Sequence, residues 1–338
     1  MQRIGRVVEL NACAVEEELA VNSPRAIIVI ALIFLGACSQ SSTEPVRVGV
    51  LLWPPYDLGH LAKAEGYVRP SEVRLIDYQT PAEVVRAYRN GLIDAFFLTT
   101  QFALGDHLGR PDTRIVHTIN ISRGGDSLLA RPEIESLEQL NGRTIALEAG
   151  PLGNYMLQRA LDHTGLSYDD VELRPVDTPG HVSAYLGGQV DAVITYEPFR
   201  SRVLAAGAIE LFSTRDIPDE IIDVLFVAGD VVDSRPAALV ELVQGIERSR
   251  QLLDAEPDRA LDIMADRHGL SAVDFAQALD GAHLLDLDEN LALLSGDPSP
   301  LVDSINEQLQ VFTRAGLLPP GSRDPVTATA SIVTEASR

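Results

Sequence analysis

One order of strands, helices and turns occurs twice in this chain, and that repetition limits the folds open to it more than any single motif does. In the first copy, Val46 to Leu52 has the length and β-branched content of a buried strand and ends in Trp53-Pro54-Pro55-Tyr56. A helix runs to about Gly66, and Val73 to Ile76 reads as a second strand. Thr80-Pro81-Ala82-Glu83 is a capping box with proline at the first helical position, and Asn90-Gly91 closes that helix before a third strand, Ile93 to Leu98. The second copy gives a strand from Arg143 to Glu148, a loop from Ala149 to Pro151, and a helix to about Thr164. A strand from Val171 to Leu173, a helix start at Thr178-Pro179, Gly187-Gly188 and a strand from Val190 to Thr195 complete it. The copies align at an offset of 98 early (Val73 with Val171, Thr80 with Thr178) and 97 later (Tyr88 with Tyr185, Gly91 with Gly188, Asp94 with Asp191). The alternation β-α-β-α-β is that of a parallel, doubly wound sheet, so the chain predicts an α/β protein containing two copies of one half-sheet. Asp94 and Asp191, at matching places, read as a shared structural feature.

After Thr195 come Tyr-Glu-Pro-Phe, a helix to about Ala206 and an apolar strand from Val224 to Ala228. Helical periodicity then runs from Pro236 to Gly316, with breaks at Pro257, Gly269 and Pro298. No lobe-sized strand pattern follows, so these helices are expected to wrap a lobe that already exists. The Ser/Thr/Ala-rich tail, 319–338, is expected to fray.

The N-terminus carries an address. Ala26 to Ala37 is an unbroken run of 12 small or apolar residues behind Arg25. A bilayer span needs roughly 20, but the run has the length of a signal-peptide core. It ends in Leu35-Gly36-Ala37-Cys38, which resembles the lipobox of bacterial lipoproteins, followed by a polar tether. The expectation is a signal peptide over 1–37, lipidation at Cys38, a tether over 38–45, and a domain held at a membrane from the extracytoplasmic side. Glu16, Glu17 and Glu18 are out of place in a secretory leader, and a translation start near Val21 would remove them.

Composition excludes several chemistries. With 49 acidic and 27 basic residues the net charge is −22, so the basic footprint of a nucleic-acid binder is missing. Lys63 is the only lysine. A phosphate-cradling G-x-x-x-x-G-K-[ST] loop therefore cannot exist, and a Schiff base could form only at Lys63. The two cysteines, Cys13 and Cys38, leave the globular part cysteine-free. None of the seven histidines pairs at metal-ligand spacing, and the nucleophile-elbow, zincin and dinucleotide motifs are absent. The reading is a binder, not an enzyme, with no catalytic residue, metal or cofactor assigned.

What remains are loops at the C-terminal ends of parallel strands, where open α/β sheets take ligands. Trp53 and Tyr56 could stack on a flat ligand or pack a lobe edge. Thr99, Thr100 and Gln101 offer hydrogen bonds after the third strand. Gly150, Gly153, Asn154 and Tyr155 open the second copy's first helix, where exposed amides can hold an oxygen-rich group. Tyr196 and Glu197 end its last strand, and Glu197 could accept hydrogen bonds from an amine or serve only its own helix start. Gly125 and Asp126 lie in Arg123-Gly124-Gly125-Asp126-Ser127, between the copies, where a hinge crossing belongs.

Taken together, these pieces resemble the periplasmic substrate-binding proteins of ABC importers, specifically the sulfonate, nitrate and taurine group and the related thiamine-pyrimidine-precursor group. The segments that carry the likeness are VRVGVLLWPPY, NGLIDAFFLTT, SRGGDSLLARPEIESLEQLNGRTIALEAG and GGQVDAVITYEPF, within 46–316. The resemblance implies the type II periplasmic-binding-protein fold, two doubly wound α/β lobes around a ligand cleft. Lobe 1 would be 46–127 plus 216–318, and lobe 2 would be 128–215. It implies a monomer that closes on a small-molecule ligand and presents the closed form to an ABC permease with its ATPase. The same fold could serve a membrane-tethered sensor. The related eukaryotic pyrimidine synthases are enzymes, but they carry a cysteine-rich iron-associated motif that this domain lacks. Asp57, Asp126, Glu148 and Glu197 on the candidate loops, against Arg123 and Arg200, tilt the expected ligand towards a nitrogen heterocycle such as a thiamine-precursor pyrimidine. Sulfonate, taurine or nitrate is the alternative.

Overall fold

The computed structural model describes residues 44–318 and 326–338. The expected signal-peptide run, Cys38 and most of the expected tether lie outside the described residues.

The first copy forms β1 (Val46–Val50), α1 (Asp57–Ala64), β2 (Val73–Asp77), α2 (Pro81–Arg89) and β3 (Ala95–Thr99). The chain then runs through β4 (Arg114–Ser122) and β5 (Asp126–Ala130). The second copy is β6 (Thr144–Leu147), α3 (Pro151–Asp162), β7 (Glu172–Pro175), α4 (His181–Leu186) and β8 (Ala192–Tyr196), followed by α5 (Phe199–Ala205) and β9 (Ile209–Ser213). β10 (Ile222–Val227), α6 (Gly229–Ser234), α7 (Pro236–Ala255), α8 (Pro257–Asp266), α9 (Ala272–Leu279), β11 (Ala282–Leu284), α10 (Leu287–Leu294), α11 (Pro300–Arg314), β12 (Thr327–Ala328) and α12 (Ser331–Ala336) complete the described chain.

Two sheets result. One has the order β11-β4-β10-β3-β1-β2, with β12 beside β4; the other has the order β7-β6-β8-β5-β9. β1 runs parallel to β2 and β3, and β6 runs parallel to β7 and β8. The register explains the changing offset between the copies. Val48 faces Ala95 and Ile145 faces Ala192, both pairs 47 residues apart, whereas Val48 faces Leu75 but Ile145 faces Leu173, one residue further on. The extra residue enters between first and second strands and is compensated before the third.

The twin aspartates hold this register. Asp94 Oδ2 accepts from the Arg47 backbone N–H at 2.9 Å, and Asp191 Oδ2 accepts from the Thr144 N–H at 2.9 Å. Arg47 adds a 2.6 Å ion pair to Asp94, and Arg143 approaches Asp191 at 3.8 Å. Each carboxylate satisfies the orphan N–H at the start of a central strand and ties that strand to its neighbour.

The chain crosses between the sheets at 123–125 and returns at 214–221. Ser122 N–H donates to Ile221 O at 2.9 Å, Gly124 N–H to Thr214 Oγ1 at 2.6 Å, and Thr214 N–H to Asp126 O at 3.1 Å, so the crossings lie side by side. Two amides, Arg123 and Gly125, also donate to Gly281 O, at 2.8 and 2.9 Å. Asp126 and Ser127 pair with Tyr196 and Thr195 in the second sheet, so they belong to lobe 2 and not to lobe 1 as expected. The tail expectation is also corrected for 326–338. There β12 extends β4, and Ile332, Val333 and Ala336 bury an apolar stripe. The spacing of those three residues is helical, and burying them outweighs the polar composition around them.

Gly125 is a close approach that only glycine permits: a Cβ there would stand 2.4 Å from Trp53 Cη2 and 2.9 Å from Gly281 O. Gly125→Ala should therefore lower stability by about 1–3 kcal/mol through overpacking. Gly165→Ala, with open space and no positive φ, should stay within about 1 kcal/mol of the parent. Urea midpoints of the two variants measure this, and equal midpoints would contradict the packing account.

Candidate functional site

The strand ends of both sheets and the first crossing converge on a closed cleft containing two small chambers of about 20 and 30 Å³. Each has room for one or two water molecules. Trp53 from lobe 1 meets Tyr196 from lobe 2 edge-on, with ring centroids 6.0 Å apart. Arg202 of α5 donates to His268 O at 3.2 Å on one side, and Tyr155 stacks on Phe312 at 5.5 Å on the other, so contacts between the lobes surround the cleft.

Three carboxylates, Asp126, Glu148 and Asp223, are set into a largely apolar lining. Asp223, opening β10, accepts from the Tyr56 hydroxyl and from Asn120 Nδ2 at 2.8 Å, and Asn120 in turn accepts from the Trp53 indole N–H at 3.2 Å. Burial still pushes the Asp223 carboxyl up to about 6. Asp126 lines both chambers, and burial first, with the charges of Asp223 and Glu197, pushes it up to about 7 against a hydrogen bond from Ser122 and the charge of Arg200. Glu148, just past β6, accepts from Thr178 Oγ1 at 2.7 Å and is pushed up to about 7, mainly by burial. Its Oε1 is buried without a partner, as is Thr99 Oγ1 in the other chamber. Orphaned buried polar atoms in a cleft mark places where a ligand or water completes the hydrogen bonding.

Near Glu148, His181 contacts Val176 O at 2.9 Å through Nε2 and Thr195 Oγ1 at 3.0 Å through Nδ1. A carbonyl can only accept, so Nε2 carries the proton and Nδ1 accepts from the threonine hydroxyl. Burial lowers its pKa to about 4, which keeps the ring neutral. No lysine or arginine lines either chamber.

The cleft brings together some of the residues expected from the sequence. Trp53, Tyr56, Thr99, Asp126 and Tyr196 line the chamber beside Asp223; Asp126, Gly150, Gly153 and Tyr196 line the one beside Glu148. The others serve elsewhere. Thr100 and Gln101 bond Gln308 Oε1 at 3.1 and 3.0 Å, and Gln101 also bonds Glu220 O at 3.0 Å. Tyr155 donates to Glu220 at 2.6 Å, beside a two-pronged Arg159–Glu220 pair at 2.8 and 2.9 Å. These residues clasp α3 to the return crossing. Asn154 donates to Gly150 O and faces an outer groove, while Gly125 sits in the first crossing under Trp53. Glu197, only 1% exposed, accepts from Arg200 at 3.1 Å and from the Ser201 N–H and hydroxyl at 3.2 and 2.9 Å. It caps its own helix and lines neither chamber. Asp223, His181, Thr178 and Phe102 escaped the sequence reading. The one signal for Asp223 is a charge inside the otherwise apolar run Ile-Asp-Val-Leu-Phe-Val.

Residues 39–266 match the NMT1-like family. The chain belongs to the NMT1-like family. A protein of Brucella abortus (strain 2308), named only as a binding protein, is 28% identical over 151 residues, 44% of this chain and 47% of that one. A protein of Escherichia coli (strain K12) named for binding aliphatic sulfonates is 23% identical over 150 residues, 44% of this chain and 46% of that one. The chain thus matches about half the length of these curated relatives. Among solved structures, the alkanesulfonate-binding protein SsuA of Xanthomonas axonopodis pv. citri, bound to MOPS, superposes with a TM-score of 0.70 at 17% identity. It covers 87% of this chain and 99% of its own. The periplasmic nitrate-binding protein NrtA of Synechocystis PCC 6803 gives 0.68 at 14% identity, covering 88% and 89%. The desulfurization enzyme DszB gives 0.62 at 17%, covering 86% and 98%. The NMT1-like chain therefore has the two-lobed fold of periplasmic binding proteins that its motifs implied, a fold shared by binders and at least one enzyme.

The raised carboxylates give a stability test. Their folded pKa values lie above the ordinary carboxylate range, so the folded state holds extra protons. The stabilisation is complete below about pH 4 and is lost as pH rises through about 7. Asp126→Asn mimics the protonated form. It should raise the stability of the ligand-free protein at pH 8 by on the order of 1–3 kcal/mol and at pH 5 by less than half as much. Thermal unfolding at both pH values measures this; equal effects at both would contradict it.

Proposed function

We propose that this chain is the solute-binding component of an ABC importer and that its ligand is a flat nitrogen heterocycle rich in hydrogen-bond donors, such as a thiamine-precursor pyrimidine. One observation supports the reading: Asp126, Glu148 and Asp223 are desolvated in the cleft with no lysine or arginine in its lining; Arg200 acts on Asp126 from outside that lining, and His181 is held neutral. An amino group or protonated ring nitrogen supplies the donors that Glu148 Oε1 lacks, and a buried hydrogen bond to a charged group is worth about 1.5–3 kcal/mol. Trp53 and Tyr196 offer aromatic surface on opposite sides of the cleft.

In this reading the lobes part to admit the ligand, and its contacts with both lobes favour the closed form that a permease reads. Closure is then the whole mechanism and no bond is broken. The absence of cysteine beyond Cys38 supports a binder over a cysteine-dependent enzyme. Cys38 is proposed as the lipid anchor holding the domain at the outer side of a bacterial membrane. The names of the relatives favour a second reading, a sulfonate or nitrate ligand, but an anion would meet carboxylates in the closed cleft.

A thermal-shift panel of 4-aminopyrimidines, taurine, alkanesulfonates and nitrate separates the readings. A ligand at one hundred times its dissociation constant adds about 2.7 kcal/mol of stability. The aminopyrimidines should shift the midpoint, and Glu148→Gln should weaken them about ten- to hundred-fold. A shift by sulfonates alone would contradict the proposal.

A further inference from the structure

Beside the small chambers lies a groove of about 650 Å³ between α2, the start of α3 and the end of α11. That volume is in the range of small-molecule sites, whereas the chambers hold only water-sized space. Phe102, 5% exposed, lines the groove and both chambers, and the tip of its ring would stand 3.7 Å from a Cβ at Gly150, which lines the groove and one chamber. Phe102 is thus the partition between inner and outer space.

The two sides of that partition carry opposite charge. The ionisable groups lining the chambers are Asp126, Glu148, Tyr56, Tyr196, Asp223 and the neutral His181. Those lining the groove are Arg86, Arg89 and His107. Burial and the neighbouring Arg89 lower the His107 pKa, so the charge rests on the arginines. Arg89 is engaged, donating to Asp106 O at 2.9 Å and to His107 O. Arg86 is exposed and has no ion-pair partner among the described residues. Val85, Phe312 and Leu317 give the groove an apolar wall.

We propose that the groove is a second compartment of the ligand site, in which Arg86 holds an anionic tail, a phosphate or carboxylate, of the same molecule whose nitrogen-bearing ring occupies the widened chambers. Phe102 turns aside to let the linking atoms pass. This rests on the heterocycle reading above and narrows it to a two-ended ligand, donor-rich at one end and anionic at the other. An arginine–phosphate contact can form two parallel hydrogen bonds, and at a partly exposed mouth it weakens with salt.

The test uses two probes, a hydroxymethyl-4-aminopyrimidine and its phosphate monoester, titrated calorimetrically into the parent protein, Arg86→Glu and Arg86→Lys. The monoester should bind the parent at least ten-fold more tightly than the alcohol. That advantage should vanish in Arg86→Glu, return in part in Arg86→Lys, and shrink between 0.05 and 0.5 M salt. Affinity for the alcohol should be the same in all three proteins. Equal binding of alcohol and monoester by the parent, or an advantage that survives Arg86→Glu, would overturn the groove proposal while leaving the heterocycle reading intact. If neither probe binds and an alkanesulfonate does, the heterocycle reading fails and the groove proposal with it.

Discussion

Burying carboxylates between two lobes with no lysine or arginine in the cleft lining costs free energy, which the charge of Arg200 behind Asp126 offsets only in part, and the molecule can recover it in only a few ways. The carboxylates can hold protons, the lobes can part and let water in, or a ligand can bring donors. Asp126 is central because it is the first residue of β5 after the chain leaves the first sheet, and it lines both chambers. The crossing that makes two lobes from one chain thus delivers an acid to the middle of the cleft. In the proposed reading, cleft closure, proton occupancy and ligand choice become one coupled equilibrium.

The surrounding structure suits the proposed closure. Hydrogen bonds between the crossings, and from the first crossing to Gly281 O, leave a narrow connection between two well-packed lobes. Away from it the lobes touch through separable contacts: Trp53 on Tyr196, Arg202 on the His268 carbonyl, and Tyr155 on Phe312. Contacts of this kind break without disturbing either sheet. By contrast, the Asp94 and Asp191 bonds to central strands lie within single lobes and persist whichever way the lobes stand.

Much of the fold was legible because its central strands are apolar throughout and each copy checks the other. Even the one-residue slip between copies has its counterpart in the strand register. β4 and β5 were harder to read because the buried faces of β4 carry His117, Thr118, Asn120 and Ser122, of which the last three bond to partners distant in sequence. The site was legible only by position. Strand-end loops pointed to Trp53, Tyr56, Asp126 and Tyr196, but no local pattern says that Glu197 will be met by Arg200 and Ser201. Nor does one show that Thr100 and Gln101 will find Gln308, more than 200 residues on. Asp223 is the reverse case, an acid hidden in an apolar strand whose role depends on Tyr56 and Asn120 coming to it.

In the proposed reading, ligand donors take the place of protons on the cleft carboxylates. Calorimetric titration of an aminopyrimidine at pH 6.5, repeated in buffers of different ionisation enthalpy, counts the protons exchanged on binding. With Asp126 and Glu148 pushed up to about 7 and Asp223 to about 6, the account predicts net proton release for a cationic ligand, reduced in Asp126→Asn. Binding with no proton release, or with net uptake by the carboxylates, would contradict it.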